Sequence, residues 1–312
     1  MSVSQKTAPL TDLPVAPGVG NLDGLSTRID DIIRSDNELC QRIEARVAGQ
    51  GIELPRLPTT AMEIVQITAD PGLELSDLVE RIEKDPALSG EVLRFAGSPI
   101  MGSRFELTTL NDAVRRLGIK GVRNLIFGLS MKGVIFRDPD LVRYAEEVWR
   151  QATTIAAIAR RIAPVFGVDP DQAFLLGLMS DIGKVAMMEL LRREFEMDAE
   201  LRARAHTGLV GDAFFLAHEK VGGAMARLWG LSEDLIEVAS CHHLFYDNEA
   251  NPQLAAFASL AHKLDYHLSV GDAEAFRNEA GVSEMTFLRL SEADRQRVLG
   301  LAVAAYRSLA AD

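Results

Sequence analysis

The stretch Gly177-Leu178-Met179-Ser180-Asp181-Ile182-Gly183-Lys184 decides how the rest of this chain is understood. It follows Phe174, Leu175 and Leu178 in a segment opening on Asp169-Pro170, where the acid caps a helix and the proline supplies its first residue. A helix therefore runs into the stretch, and Asp181 stands at its end. A carboxylate there has three uses: it caps backbone N–H groups, pairs with Lys184, or ligates a metal ion. Ser180 beside it offers only a neutral hydroxyl, a poor ligand compared with an imidazole.

Outward from this point the sequence predicts helix after helix and gives no strand signal. Asp85 caps a helix starting at Pro86, with Leu88, Val92 and Phe95 on its core face. Thr109 with Asp112 three residues on reads as a capping box, and Gly118 as a left-handed stop after Leu117. Helices are expected from Leu141 to Ile162, carrying Trp149 and Gln151, and from Asp212 to Trp229, closing at Gly230. Ser232 then caps a helix that carries His242 and His243. Within that helix the two imidazoles point about 100° apart, so at most one faces a given metal site. Gly222-Gly223 sits inside a helical pattern and admits a neighbouring helix at close range, which a phosphate-cradling loop after a strand would not explain. Leu254, Phe257, Leu260, Ala261 and Leu264 share a further core helix, and Arg295–Leu309 forms a terminal one that packs on the body or on a second subunit. The whole is an all-α, multi-helix bundle.

Upstream, Ile29, Ile32, Ile33, Leu39 and Ile43 mark amphipathic helix between Leu25 and Val47, either a docking element or the first core helix. Residues 1–20 read as a flexible leader. A net charge of −12 argues against direct nucleic-acid binding, which needs clustered Lys and Arg, and against anionic membranes. Cys40 and Cys241 are too far apart in sequence for a metal-binding or redox motif. No apolar run reaches the roughly 20 residues needed to span a bilayer, and no signal peptide is evident, so a cytoplasmic protein is expected. Arg115, Arg116, Lys120 and Arg123 form a basic cluster that is either a solvated face or a contact for an acidic partner or phosphate.

Several motifs recur in one order: Leu57-Pro58, Asp85-Pro86-Ala87-Leu88, Arg94-Phe95-Ala96, Arg116-Leu117-Gly118, Trp149, Ser180-Asp181-Ile182-Gly183-Lys184, His218 with Val221-Gly222, Trp229-Gly230-Leu231, and His242-His243. Together they resemble the HDOD domain, an output domain of bacterial signalling proteins related to the HD phosphohydrolases. The resemblance implies an N-terminal helical extension at 21–53 and an HDOD domain at 54–268. That domain divides into a helical subdomain at 54–138 and a degenerate HD-like subdomain at 139–268, followed by a C-terminal extension at 269–312.

The chain departs from the HD pattern where chemistry would reside. Ser180 stands in place of the histidine of the His-Asp pair, Gln151 where relatives often have histidine, and Gly97 where asparagine is usual. The resemblance leaves Asp181, His218 and one of His242 or His243 as ligand candidates, with Asp265 or His262 for the last position. The expected degenerate pocket comprises Gln151, Ser180, Asp181, Lys184, His218 and His242, with no catalytic residue, cofactor or metal. It implies a non-catalytic regulatory protein that binds other signalling proteins, with homodimerisation open. Two alternatives stand beside it. One is a metal phosphohydrolase of nucleotides or cyclic dinucleotides using Asp181, His218 and His242; the other is a metal-free sensor of a nucleotide second messenger.

Overall fold

A computed structural model describes residues 38–49, 72–98, 109–135, 142–204, 207–248, 250–269 and 282–309, with isolated residues at 59, 63–64, 67–68, 70 and 107. Among these every regular element is helical: α1 (Glu38–Ala48), α2 (Leu75–Glu83), α3 (Pro86–Ala96), α4 (Leu110–Ile135), α5 (Val142–Phe166), α6 (Pro170–Met179), α7 (Ile182–Met197), α8 (Ala199–Arg204), α9 (Thr207–Leu228), α10 (Glu233–Ser240), α11 (Pro252–Ser269), α12 (Val282–Phe287) and α13 (Glu292–Leu309). Among the described residues one 3-10 turn spans Phe245–Asp247. The 1–20 leader, Ile29, Ile32, Ile33, Leu57-Pro58 and residues 270–281 lie outside the described residues. No described helix is long and apolar enough to cross a membrane.

The local signals act through identifiable atoms. Asp85 accepts from Leu88 N at 3.0 Å to open α3, and Asp169 accepts from Asp171 N and Gln172 N at 2.9 Å to open α6. Thr109 Oγ1 accepts from Asp112 N, while its own hydroxyl donates to the Asp112 carboxylate, so the acid steadies the cap through the side chain. Gly118 does take a positive φ of 66°, but with ψ at 173°. That conformation is open essentially to glycine alone, and it divides α4 into two helical segments at a kink, so a stop does fall after Leu117, though with a ψ outside the left-handed helical region. Arg115 and Arg116 lie before the kink and Lys120 and Arg123 after it, so the basic cluster is not one continuous helical stripe. Ser232 occupies the N-cap position of α10 without a side-chain cap bond.

Three large groups of buried side chains and one small one, Phe245 with Ala255 and Ala256, hold the described helices together. The first joins Leu78, Ile82, Val92, Phe95, Val114 and Ile126 of α2–α4 to Ala152 and Ala156 of α5 and to Phe174 and Leu178 of α6. The second gathers Met187 and Leu191 of α7, Val221 and Met225 of α9 and Val238 of α10, together with Leu39 and Ile43 of α1. Both α1 residues are fully buried, so the described part of the N-terminal amphipathic segment is a core helix. The third packs Ile158 and Ile162 of α5 and Phe257, Leu260 and Leu264 of α11 against Val298, Leu299 and Ala302, which seats α13 on the body. Helices α5 and α6 serve more than one group. The turn between α6 and α7 therefore falls where the packed layers meet.

Candidate metal centre

Ser180 ends α6 and Asp181 begins α7, so the two side chains are delivered by a tight connection between rigid helices. Asp181 makes no cap bond to the backbone of α7. Its carboxylate turns inward and is 2% exposed. Lys184, one turn along α7, donates from Nζ to Oδ2 at 2.6 Å, so its charge is spent on Asp181 and not on open solvent.

Helix α9 reaches this carboxylate because glycine meets glycine. A Cβ on Gly183 would collide with His218 O and lie 2.6 Å from Gly222 N; one on Gly222 would lie 2.9 Å from Ala239 O. Backbone against backbone at this crossing places His218 Nε2 3.4 Å from Asp181 Oδ1. The predicted close approach at Gly222 thus has a second half, Gly183, and the purpose of the pair is to seat His218.

The end of α10 corrects the reading of the histidine pair. The helix stops at Ser240, and Cys241 leaves it with φ −160° and ψ 67°. His242 and His243 therefore lie beyond the helix, the 100° separation does not apply, and both imidazoles face Asp181. His242 Nε2 stands 3.7 Å from Asp181 Oδ1, an electrostatic contact longer than a hydrogen bond. Glu219 holds the turn: its Oε1 accepts from His242 N at 2.5 Å and from His243 N at 2.8 Å.

From α11, His262 stacks on His242 with ring centroids 4.6 Å apart. Its Nε2 lies 2.7 Å from Ser180 Oγ and its Nδ1 3.6 Å from Asp181 Oδ2. Ser180 Oγ also donates to Gly177 O at 2.9 Å. Gln151 sits at the margin, donating to Glu147 Oε1 within α5. The Arg115, Arg116, Lys120 and Arg123 cluster is on α4, which contributes nothing to this centre. Glu219 and the joint presence of His243 and His262 escaped the sequence reading. Neighbourhood to His218 was the only signal for Glu219.

The electrostatics follow from burial against charge. Burial opposes ionisation of Asp181, but Lys184, His262, His242 and His218 overcome it and hold the carboxyl well below its usual range. Burial pushes His218 down to about 4, and likewise lowers His243 and His262 far below the usual imidazole value. Burial would lower His242 too, yet Asp181 and Glu219 beside it win and raise it. Asp265, 5% exposed on α11, is raised by burial to about 7 in spite of Arg150.

These residues fit a single divalent ion. His218 Nδ1 and His242 Nδ1 face the carbonyls of Phe214 and Val238 at 2.7 and 3.0 Å, which can only accept. Each Nδ1 must carry the proton, so in the neutral ring each Nε2 presents a lone pair. Asp181 Oδ1 and His242 Nε2 have no hydrogen-bond partner among the described residues. Ligand atoms of Asp181, His218, His242 and His243 all lie within 4.8 Å of one another. Buried acceptors facing acceptors need a positive centre between them, and a proton on His242 or a transition ion supplies it. Three nitrogens and one oxygen are a zinc-like donor set. The set differs from the one expected: both His242 and His243 belong to it, and His243 takes the last position that Asp265 or His262 was expected to fill.

An all-helical body with an aspartate–histidine centre at a helix junction defines a protein of the HD-related class. The chain belongs to the HDOD domain family, whose pattern matches residues 54–245, more than half of its length. A protein of Treponema pallidum (strain Nichols), itself uncharacterised, is 28% identical over 213 residues; the match covers 65% of this chain, which spans only 40% of that relative. A solved structure from Shewanella amazonensis, provisionally named a metal-dependent phosphohydrolase, superposes with a TM-score of 0.67 at 19% identity, covering 87% of this chain and 100% of the other. One from Marinobacter aquaeolei, provisionally named a signal transduction protein, gives 0.64 at 20%, covering 95% and 67%. At these identities the structural likeness shows the shared fold.

Proposed function

We propose that this chain is a non-catalytic regulatory protein that binds other signalling proteins through its helical surface, with the Asp181 centre acting as an internal brace. Closure of the centre carries this reading. Ser180, where the HD pattern has histidine, is 0% exposed and is bonded to Gly177 O and His262, so the side chain that replaced the imidazole is used inside the protein. Asp181, His218 and His242 are also buried, and Lys184 occupies the second oxygen of Asp181. Catalytic zinc keeps a position open for water, whereas structural sites are closed by four protein ligands. The Marinobacter neighbour's name agrees with a signalling role.

A second reading is a metal phosphohydrolase, favoured by the acceptors that face one another across Asp181 Oδ1 and His242 Nε2 and by the Shewanella neighbour's name. Asp181, His218, His242 and His243 would hold the ion, which when bound polarises a phosphoryl oxygen or lowers the pKa of water. Turnover separates the two readings. The full chain, loaded with Mn2+ or Zn2+, is assayed on bis-p-nitrophenyl phosphate and on cyclic dinucleotides. The regulatory reading expects the rate of metal and buffer alone. Hydrolysis that is chelator-sensitive and abolished in Asp181→Asn establishes the hydrolase instead.

A further inference from the structure

We propose that Glu219 is a positioning residue that converts the consecutive pair His242-His243 into two inward-facing ligands. The inference rests on the reading that the Asp181 cluster takes one divalent ion, whether or not that ion does chemistry.

The argument begins with the backbone of α10. In a continuing helix the N–H groups of His242 and His243 would donate to Val238 O and Ala239 O. Neither does so here. Val238 O instead faces His242 Nδ1 at 3.0 Å, and Ala239 O is pressed against Gly222. Both N–H groups converge on one atom, Glu219 Oε1, at 2.5 and 2.8 Å. That oxygen also lies 3.4 Å from His242 Nδ1, and the side chain is 14% exposed.

One carboxylate oxygen thus replaces two helical acceptors. Because successive N–H groups point at the same atom, the chain is held in a turn, and the turn sets both rings towards Asp181. Glu219 directly follows His218 on α9, so one turn of that helix supplies one ligand and orients two more. Gly222 on the same helix fixes its distance from α7. A ligand set drawn from three elements is thereby referred to a single helix.

The test is a Co2+ titration of the chelator-stripped full chain, followed by visible absorption, which reports ligand number as well as affinity. Wild type is expected to take up one equivalent. Glu219→Gln keeps a side-chain oxygen for both N–H groups and stays near wild type. Glu219→Ala binds about 10–100-fold more weakly, the range for loss of a residue that orients ligands, and its absorption changes as an imidazole is lost. His243→Ala added to Glu219→Ala weakens binding little further, because the same ligand is lost twice.

Wild-type affinity and spectrum in Glu219→Ala, or fully additive losses with His243→Ala, overturn the positioning role alone. Absence of Co2+ uptake by wild type overturns the one-ion reading and this proposal with it. If Glu219→Ala does not fold, Glu219→Asp replaces it under the same criteria, since its shorter arm does not reach both N–H groups.

Discussion

At the scale of single residues, the centre is a contest between burial and charge, and each side can be removed separately. Asp265 has its folded pKa raised from 3.8 to about 7. A raised value means that its contribution to stability is present at acid pH and is lost as pH climbs towards the folded value. Asp265→Asn does not ionise, so relative to wild type it gains stability between about pH 4 and 7, at up to ~1.4 kcal/mol per pH unit, and gains no more above. Urea midpoints at pH 5, 6 and 8 check this; a difference independent of pH sinks it. Asp181 has the opposite sign. Its depressed pKa makes it stabilising at neutral pH, and that stabilisation is lost as acid protonates the folded carboxylate. Asp181→Asn leaves the Lys184 ammonium, 17% exposed, without its carboxylate, and should cost about 3 kcal/mol at pH 7. Equal midpoints for variant and wild type would refute the brace.

At the scale of elements, the crossing of α7 and α9 is where small residues matter most. Gly183→Ala drives a methyl into the backbone at His218 and Gly222, so the helices must separate and the melting temperature should fall by an amount matching about 3 kcal/mol. Gly300, exposed on α13 with nothing within 4 Å of an added Cβ, is the internal control. Gly300→Ala should stabilise by about 0.5–1 kcal/mol through helix propensity. Both variants melting alike would contradict the crossing. Helices of this kind were legible in the sequence because caps such as Asp85 and Asp169 act within three residues of themselves. The fate of Ser232 was not. It occupies the expected N-cap position without an expected bond, and α10 ends before His242 because Glu219, 23 residues earlier in the chain, captures the next two N–H groups.

At the scale of the whole molecule, α1 and α13 are the first and last described helices, and each sends side chains into the buried interior. Ile43, on α1, is fully buried among residues of α7 and α9. Ile43→Ala should cost about 3 kcal/mol, as core truncations do, and lower a single cooperative unfolding transition. A loss below about 0.5 kcal/mol, the size of an ordinary surface change, would make α1 a detachable docking helix. The centre is built from the α6–α7 turn, α9, the end of α10 and α11, so its geometry depends on the packing of the entire second half.

By itself the sequence determined the helical class, the family and the helix starts marked by Asp85-Pro86, Thr109, Asp169-Pro170 and Ser232. Periodicity and caps are local, and the Asp-Pro, Ser180-Asp181 and His242-His243 motifs are contiguous. Only the tertiary structure decided which acceptors meet. His262 lies against Ser180, 82 residues away, at 2.7 Å, and His243 turns inward because Glu219 holds its N–H. Such contacts are set by the distance at which helices pack, and the Gly183–Gly222 crossing that sets it brings together glycines 39 positions apart, so the close approach legible at Gly222 had no visible partner until the chain folded.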